Sequence, residues 1–88
     1  MSIKKRKKRL LFRCWHRGSR ESDLLLGNFA NERLADMGES DVTKLETIVD
    51  CDDQLIWDWV IGVVSVPPGI NSPMIGELRS IYSKILAK

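Results

Sequence analysis

With 88 residues, 43% of them hydrophobic and 30% charged, the chain has the size and composition of one small globular domain. Disorder throughout is excluded, although a chain this short buries only about 60–65% of the surface its unfolded form exposes. Two cysteines, Cys14 and Cys51, are too few for a disulfide framework, and with the single His16 they fall short of the four ligands of a structural zinc.

No apolar run approaches the roughly 20 residues needed to span a bilayer. The longest, Val60 to Val66, is broken by Gly62 and Ser65 and followed by Pro67-Pro68. No hydrophobic leader or organellar presequence pattern follows the charged first residues, so the expectation is a bacterial cytoplasmic protein with reduced cysteines. Charge is unevenly placed: residues 1–20 hold nine of the 14 Lys and Arg and no acid, whereas residues 21–58 hold eleven of the 12 acids. A basic leading end and an acidic middle make a dipolar molecule able to steer a partner.

Helical periodicity recurs five times. The first helix is expected from about Lys5 to Arg17, with Leu10, Leu11, Cys14 and Trp15 as its apolar stripe and Arg9, Arg13 and Arg17 repeating every four residues on another face. Gly18 then stops it, because glycine accepts the left-handed backbone that helix ends favour. Ser19 can cap a second helix whose first turn carries Glu21 and Asp23, where negative charge complements exposed amides. Leu26, Phe29, Ala30, Leu34 and Met37 keep helical spacing to Gly38, making this the longest expected helix and the central packing element.

Ser40 or Asp41 can cap a third helix carrying Val42, Leu45, Ile48 and Val49. Asp52 or Asp53 can cap a fourth, from about Gln54 to Gly62, with Ile56, Trp59, Val60 and Val63 facing inward. Ser65 to Asn71, with Pro67-Pro68-Gly69, reads as a loop. Ser72 before Pro73 opens the last helix, which uses Ile75, Leu78, Tyr82 and Ile85. Strand-like alternation does not rise above this pattern. The expected fold is an all-α compact five-helix bundle spanning 1–88 as one domain, with a basic N-terminal extension partly frayed before Leu10.

The sharpest local feature is Arg17-Gly18-Ser19-Arg20-Glu21. A glycine stop, a serine cap and an acidic first turn explain most of it as a helix boundary. A functional reading is also open: Gly18 permits close approach of another backbone while Arg17 and Glu21 project from a tight corner. Trp57 has two readings as well. With Ile56, Trp59 and Val60 inward it lies to one side, either filling a groove against a neighbouring helix or standing as a partly exposed interface anchor.

Arg17-Gly18-x-x-Glu21, preceded by Trp15 and followed by Asp23, resembles the signature of the SdhE family, whose eukaryotic members are called succinate dehydrogenase assembly factor 2. The similarity continues through Leu24-Leu25-Leu26-Gly27-x-Phe29-Ala30 and resumes at Asp53 and Ile56-Trp57-Asp58-Trp59-Val60-x-Gly62, covering roughly residues 9–64 in order. The resemblance implies a five-helix, non-enzymatic assembly factor. It would bind the flavoprotein subunit of succinate dehydrogenase, or of fumarate reductase, and promote covalent attachment of FAD to it.

The family's functional arginine, glycine and glutamate fall on Arg17, Gly18 and Glu21. Arg13, Arg20, Asp23 and Trp57 join them as partner-binding candidates. The implied protein is a monomer that holds no FAD stably itself and acts on the FAD of its partner. His16 stands where many members carry a second arginine, which leaves the role of a positive charge there open. Ser22 and Leu55 are further departures that leave the corner intact.

The six basic residues from Lys4 to Arg9 carry an alternative, a small nucleic-acid-associated or antitoxin-like protein that neutralises phosphates. The acidic body and the lack of an aromatic-and-basic stacking surface favour instead a solvated or partner-directed tail. A helical adaptor with another partner is a third reading. Catalysis finds no nucleophile–histidine–acid set, glycine-rich phosphate loop or metal cluster in the sequence.

Overall fold

The structure, a computed structural model, describes residues 2–87, so Met1 and Lys88 of the expected 1–88 span lie outside it. Five α-helices and one short 3-10 turn follow in order: α1 (Ile3–Trp15), α2 (Arg20–Arg33), the turn Leu34–Asp36, α3 (Glu39–Val49), α4 (Asp53–Ile61) and α5 (Ser72–Leu86). Among the described residues there is no strand, and no helix is long and apolar enough to cross a membrane. The all-α five-helix expectation holds.

Local chemistry sets the helix ends. The Ser19 hydroxyl accepts from the Ser22 amide at 3.2 Å, and Glu21 and Asp23 occupy the first turn of α2. Gly62 closes α4 with φ +94°, a left-handed stop that a side chain would strain. For α5 the cap is Asn71, whose side chain accepts from the Met74 amide at 3.0 Å, so Ser72 and Pro73 form the first helical turn. Proline, expected at the first helical position, stands at the second.

One core joins all five helices. It takes Leu10 and Cys14 from α1, Leu25, Leu26, Phe29 and Ala30 from α2, and Val42, Leu45, Ile48 and Val49 from α3. From α4 come Ile56, Trp59 and Val60, and from α5 Met74, Ile75, Leu78 and Ile81. Burial pushes the Cys14 thiol up to about 11, so at neutral pH it packs as an uncharged small hydrophobe. Helix α2 packs on both α1 and α5 and is central, as expected, but α5 is longer, with 15 residues against 14.

Several expected placements differ. Val63 is 70% exposed because α4 ends at Ile61 and Gly62 turns the chain away before the next inward position. Leu11 is 38% exposed and Trp15 half-buried, which narrows the inward stripe of α1 to Leu10 and Cys14. The basic run is neither frayed nor an extension: α1 is helical from Ile3, capped by the Ser2 hydroxyl at 3.2 Å from the Lys5 amide. It ends at Trp15, two residues before the expected stop.

The arginines of α1 explain this order. Arg6 donates to both carboxylate oxygens of Glu46, at 2.6 and 3.3 Å, and to the Thr43 hydroxyl at 2.9 Å. Arg13 meets Asp50 at 2.6 Å. Contacts that climb α1 and α3 together mean the two helices run side by side in the same direction. The face that faces acid is therefore Arg6, Arg13 and Arg17; Arg9 is exposed instead.

Candidate functional site

The connection between α1 and α2 is a sharp corner of four residues, His16 to Ser19. Past Trp15 the backbone leaves the helix at His16, with φ −131° and ψ 56°. The His16 ring folds back on α1: Nδ1 donates to the Phe12 carbonyl at 2.6 Å, and the ring stacks on Phe12 with centroids 3.9 Å apart. Gly18 follows with φ +102°, and nothing lies within 4 Å of where its Cβ would stand. The glycine is thus required by the backbone, and the space above it is open.

Arg17 does not project from this corner. Its Nε donates to Asp53 at 2.9 Å, and its two terminal nitrogens donate to the Val49 carbonyl at 2.6 Å and the Cys51 carbonyl at 2.9 Å. The side chain is 11% exposed. A planar fork thereby caps the carbonyl end of α3 and ties it to the start of α4, where a cation also complements the helix dipole. Asp23 is likewise committed, accepting from the Arg17 amide at 2.6 Å. Arg17 braces the corner from behind, while Asp23 holds its backbone and lines the depression beside it.

What remains accessible is Gly18, Ser19, Arg20 and Glu21, all exposed. Trp15, His16, Gly18, Arg20 and Leu24 border an open depression of about 660 Å³ at the corner. Its border mixes apolar side chains with Arg20 and Asp23, of opposite charge, and with a bare backbone at the apex it suits docking of a protein segment. Trp15 lies against α2 because Gly27 leaves room for it; a Cβ at Gly27 would overlap the indole ring. The sequence reading missed Leu24, and the folding of His16 back onto Phe12, as parts of this surface.

Arg13 sits away from the depression, paired to Asp50. Trp57 fills the groove between α2 and α5: its indole N–H donates to the Ser22 hydroxyl at 2.9 Å, and its ring meets Tyr82 edge-on at 5.3 Å. Of its two open readings, the groove-filling one describes its position. Serine at position 22 thus has a use, since a buried indole needs an acceptor. Among the described residues no group of three His, Cys, Asp or Glu could hold a metal ion.

The described residues thus form a small helical bundle with an open corner that carries no side chain at its apex. The chain belongs to the family described as flavinator of succinate dehydrogenase, which matches residues 8–82. It is 33% identical over 73 residues to the FAD assembly factor SdhE of Acetobacter pasteurianus, covering 83% of this chain and 67% of that one. It is 32% identical over 81 residues to the mitochondrial succinate dehydrogenase assembly factor 2 of Arabidopsis thaliana, covering 91% and 43%. The Drosophila grimshawi protein of the same name is 37% identical over 76 residues, covering 84% and 52%. The chain therefore spans about half the length of these eukaryotic relatives. No solved structure matches it at comparable significance.

Proposed function

We propose that this protein binds the flavoprotein subunit of succinate dehydrogenase through the Gly18 corner and promotes covalent attachment of FAD to that subunit. The observation that carries the reading is the corner itself: a left-handed glycine with open space at its apex, flanked by exposed Arg20 and Glu21 and braced by Arg17. Family membership supplies the class of client. The flavoprotein subunit of fumarate reductase is a second client of the same chemistry.

The role is that of a non-enzymatic chaperone. Flavin attachment belongs to the flavoprotein's own site, and binding that favours the competent arrangement of its domains raises the rate without a reactive group here. FAD is the partner's cofactor; this chain holds none stably. It acts as a monomer in the bacterial cytoplasm, and its accessible binding residues are Gly18, Arg20 and Glu21, with Arg17, Asp23, Arg13 and Trp57 holding the surface in shape.

Glu21→Ala tests this. Its helix-dipole contribution at an exposed first-turn site is about 0.3–1 kcal/mol, whereas a desolvated charge contact at an interface is worth about 2–5 kcal/mol. Covalent FAD on the co-expressed flavoprotein subunit is read by in-gel fluorescence, beside the thermal melt of the variant. The expected result is a near-native melt with flavinylation lost. Normal flavinylation by both Glu21→Ala and Gly18→Arg would refute the proposal.

A further inference from the structure

Helix α1 presents an outward row that neither the core nor the corner uses. Lys5, Lys8, Arg9 and Phe12 stand at spacings of three, four and seven residues, which places them on one helix face, opposite buried Leu10 and Cys14. All four are exposed, Phe12 at 64%. None of the ion pairs among the described residues includes Lys4, Lys5, Lys8 or Arg9. The first turn of α1 carries no acid at all, although cations there oppose the helix dipole. For Lys4 and Lys5 in that turn the placement costs stability rather than adding it.

Beside the row runs an apolar groove of about 330 Å³, with Leu11, Ala30 and Leu34 on its floor and Lys4 and Lys8 on its rim. Cations above an apolar floor match an amphiphile, with an anionic head over a hydrocarbon body. Nucleic acid would meet the same cations but has no use for the floor. Phe12 also has one face covered by His16, which makes it a wedge rather than an open stacking platform. Lysines with long apolar stems, and one protruding aromatic ring, are the surface of an interfacial helix.

We propose that the outer face of α1 docks on an anionic lipid surface, with Lys4, Lys5, Lys8 and Arg9 meeting headgroup charge and Phe12 entering the boundary between headgroups and acyl chains. The contact is peripheral and reversible. It stands independently of the flavoprotein reading, since it uses other residues and another partner.

The test is flotation of the full chain with vesicles of phosphatidylcholine containing about a third phosphatidylglycerol, against vesicles of phosphatidylcholine alone, at low and physiological salt. Binding is expected only to the anionic vesicles and falls as salt rises. Each cation near such a surface is worth about a fivefold change in partition, so Lys5→Ser, Lys8→Ser and Arg9→Ser together lower it about a hundredfold. Phe12→Ser weakens binding equally at both salts. The triple variant stays folded, because all three side chains are exposed and outside the ion pairs of the described residues. Absence of binding to anionic vesicles at low salt, or equal binding by the triple variant, overturns the proposal. Displacement from the vesicles by a DNA duplex that binds more tightly assigns the row to nucleic acid and overturns it as well.

Discussion

Arg17 and Glu21 lie four residues apart and have opposite jobs. The Arg17 guanidinium satisfies one carboxylate and two helix-end carbonyls at once, so Arg17→Ala leaves Asp53 and those carbonyls without it. The expected cost is about 2–3 kcal/mol of stability, and a thermal midpoint lower by more than about 10 °C. Arg17→Lys recovers little, since a single ammonium cannot reach three acceptors in one plane. Gly18 was legible in the sequence because a glycine stop is local chemistry. The direction of Arg17 was not, because its acceptors come from 32 to 36 residues away. Gly27 hid its meaning in the same manner: it reads as an ordinary helix interior until Trp15 is laid over it. Gly27→Ala is expected to destabilise by about 1–2 kcal/mol, overpacking against Trp15 outweighing the gain in helix propensity. Red-shifted, more quenchable tryptophan emission checks that the ring has moved outward.

Among the elements, α1 and α3 are joined by charge along their length. The Arg6 guanidinium, hydrogen-bonded to Glu46, holds that carboxyl below its ordinary value of 4.5. A depressed carboxyl contributes stability that is complete above the unfolded value and is lost as pH falls through the lower folded one. Glu46→Gln is therefore expected to melt below the wild type at pH 7, with the gap closing as acid takes the solution below about pH 4. A gap of the same size at both pH values would place the effect in packing. Four of the five helix starts were readable to within a residue or two because caps and apolar periods are local. The exposure of Leu11 and Val63 was not, because the inward arc of each helix is set by which neighbours it meets.

At the scale of the molecule, the basic and acidic blocks of the sequence do not form a simple dipole. Arg6, Arg13 and Arg17 pair with Glu46, Asp50 and Asp53, so part of each block is neutralised across the α1–α3–α4 seam. Of the remaining cations of α1, Lys5, Lys8 and Arg9 are left on its outer face. The charge imbalance was evident from the sequence; how much of it the fold consumes depends on helix pairing. The bracing of the corner by Arg17 has a consequence for timing. Residues that shape the docking corner are contiguous, yet the partners that hold Arg17 arrive only when α3 and α4 have formed and packed. A peptide of residues 2–37 is expected to compete poorly with the full chain for the flavoprotein, by a factor measurable in the flavinylation assay. Ready inhibition by that peptide would show that the corner shapes itself. On the proposed docking role the corner would act as a checkpoint, because a half-folded copy lacks the brace on Arg17 that shapes it.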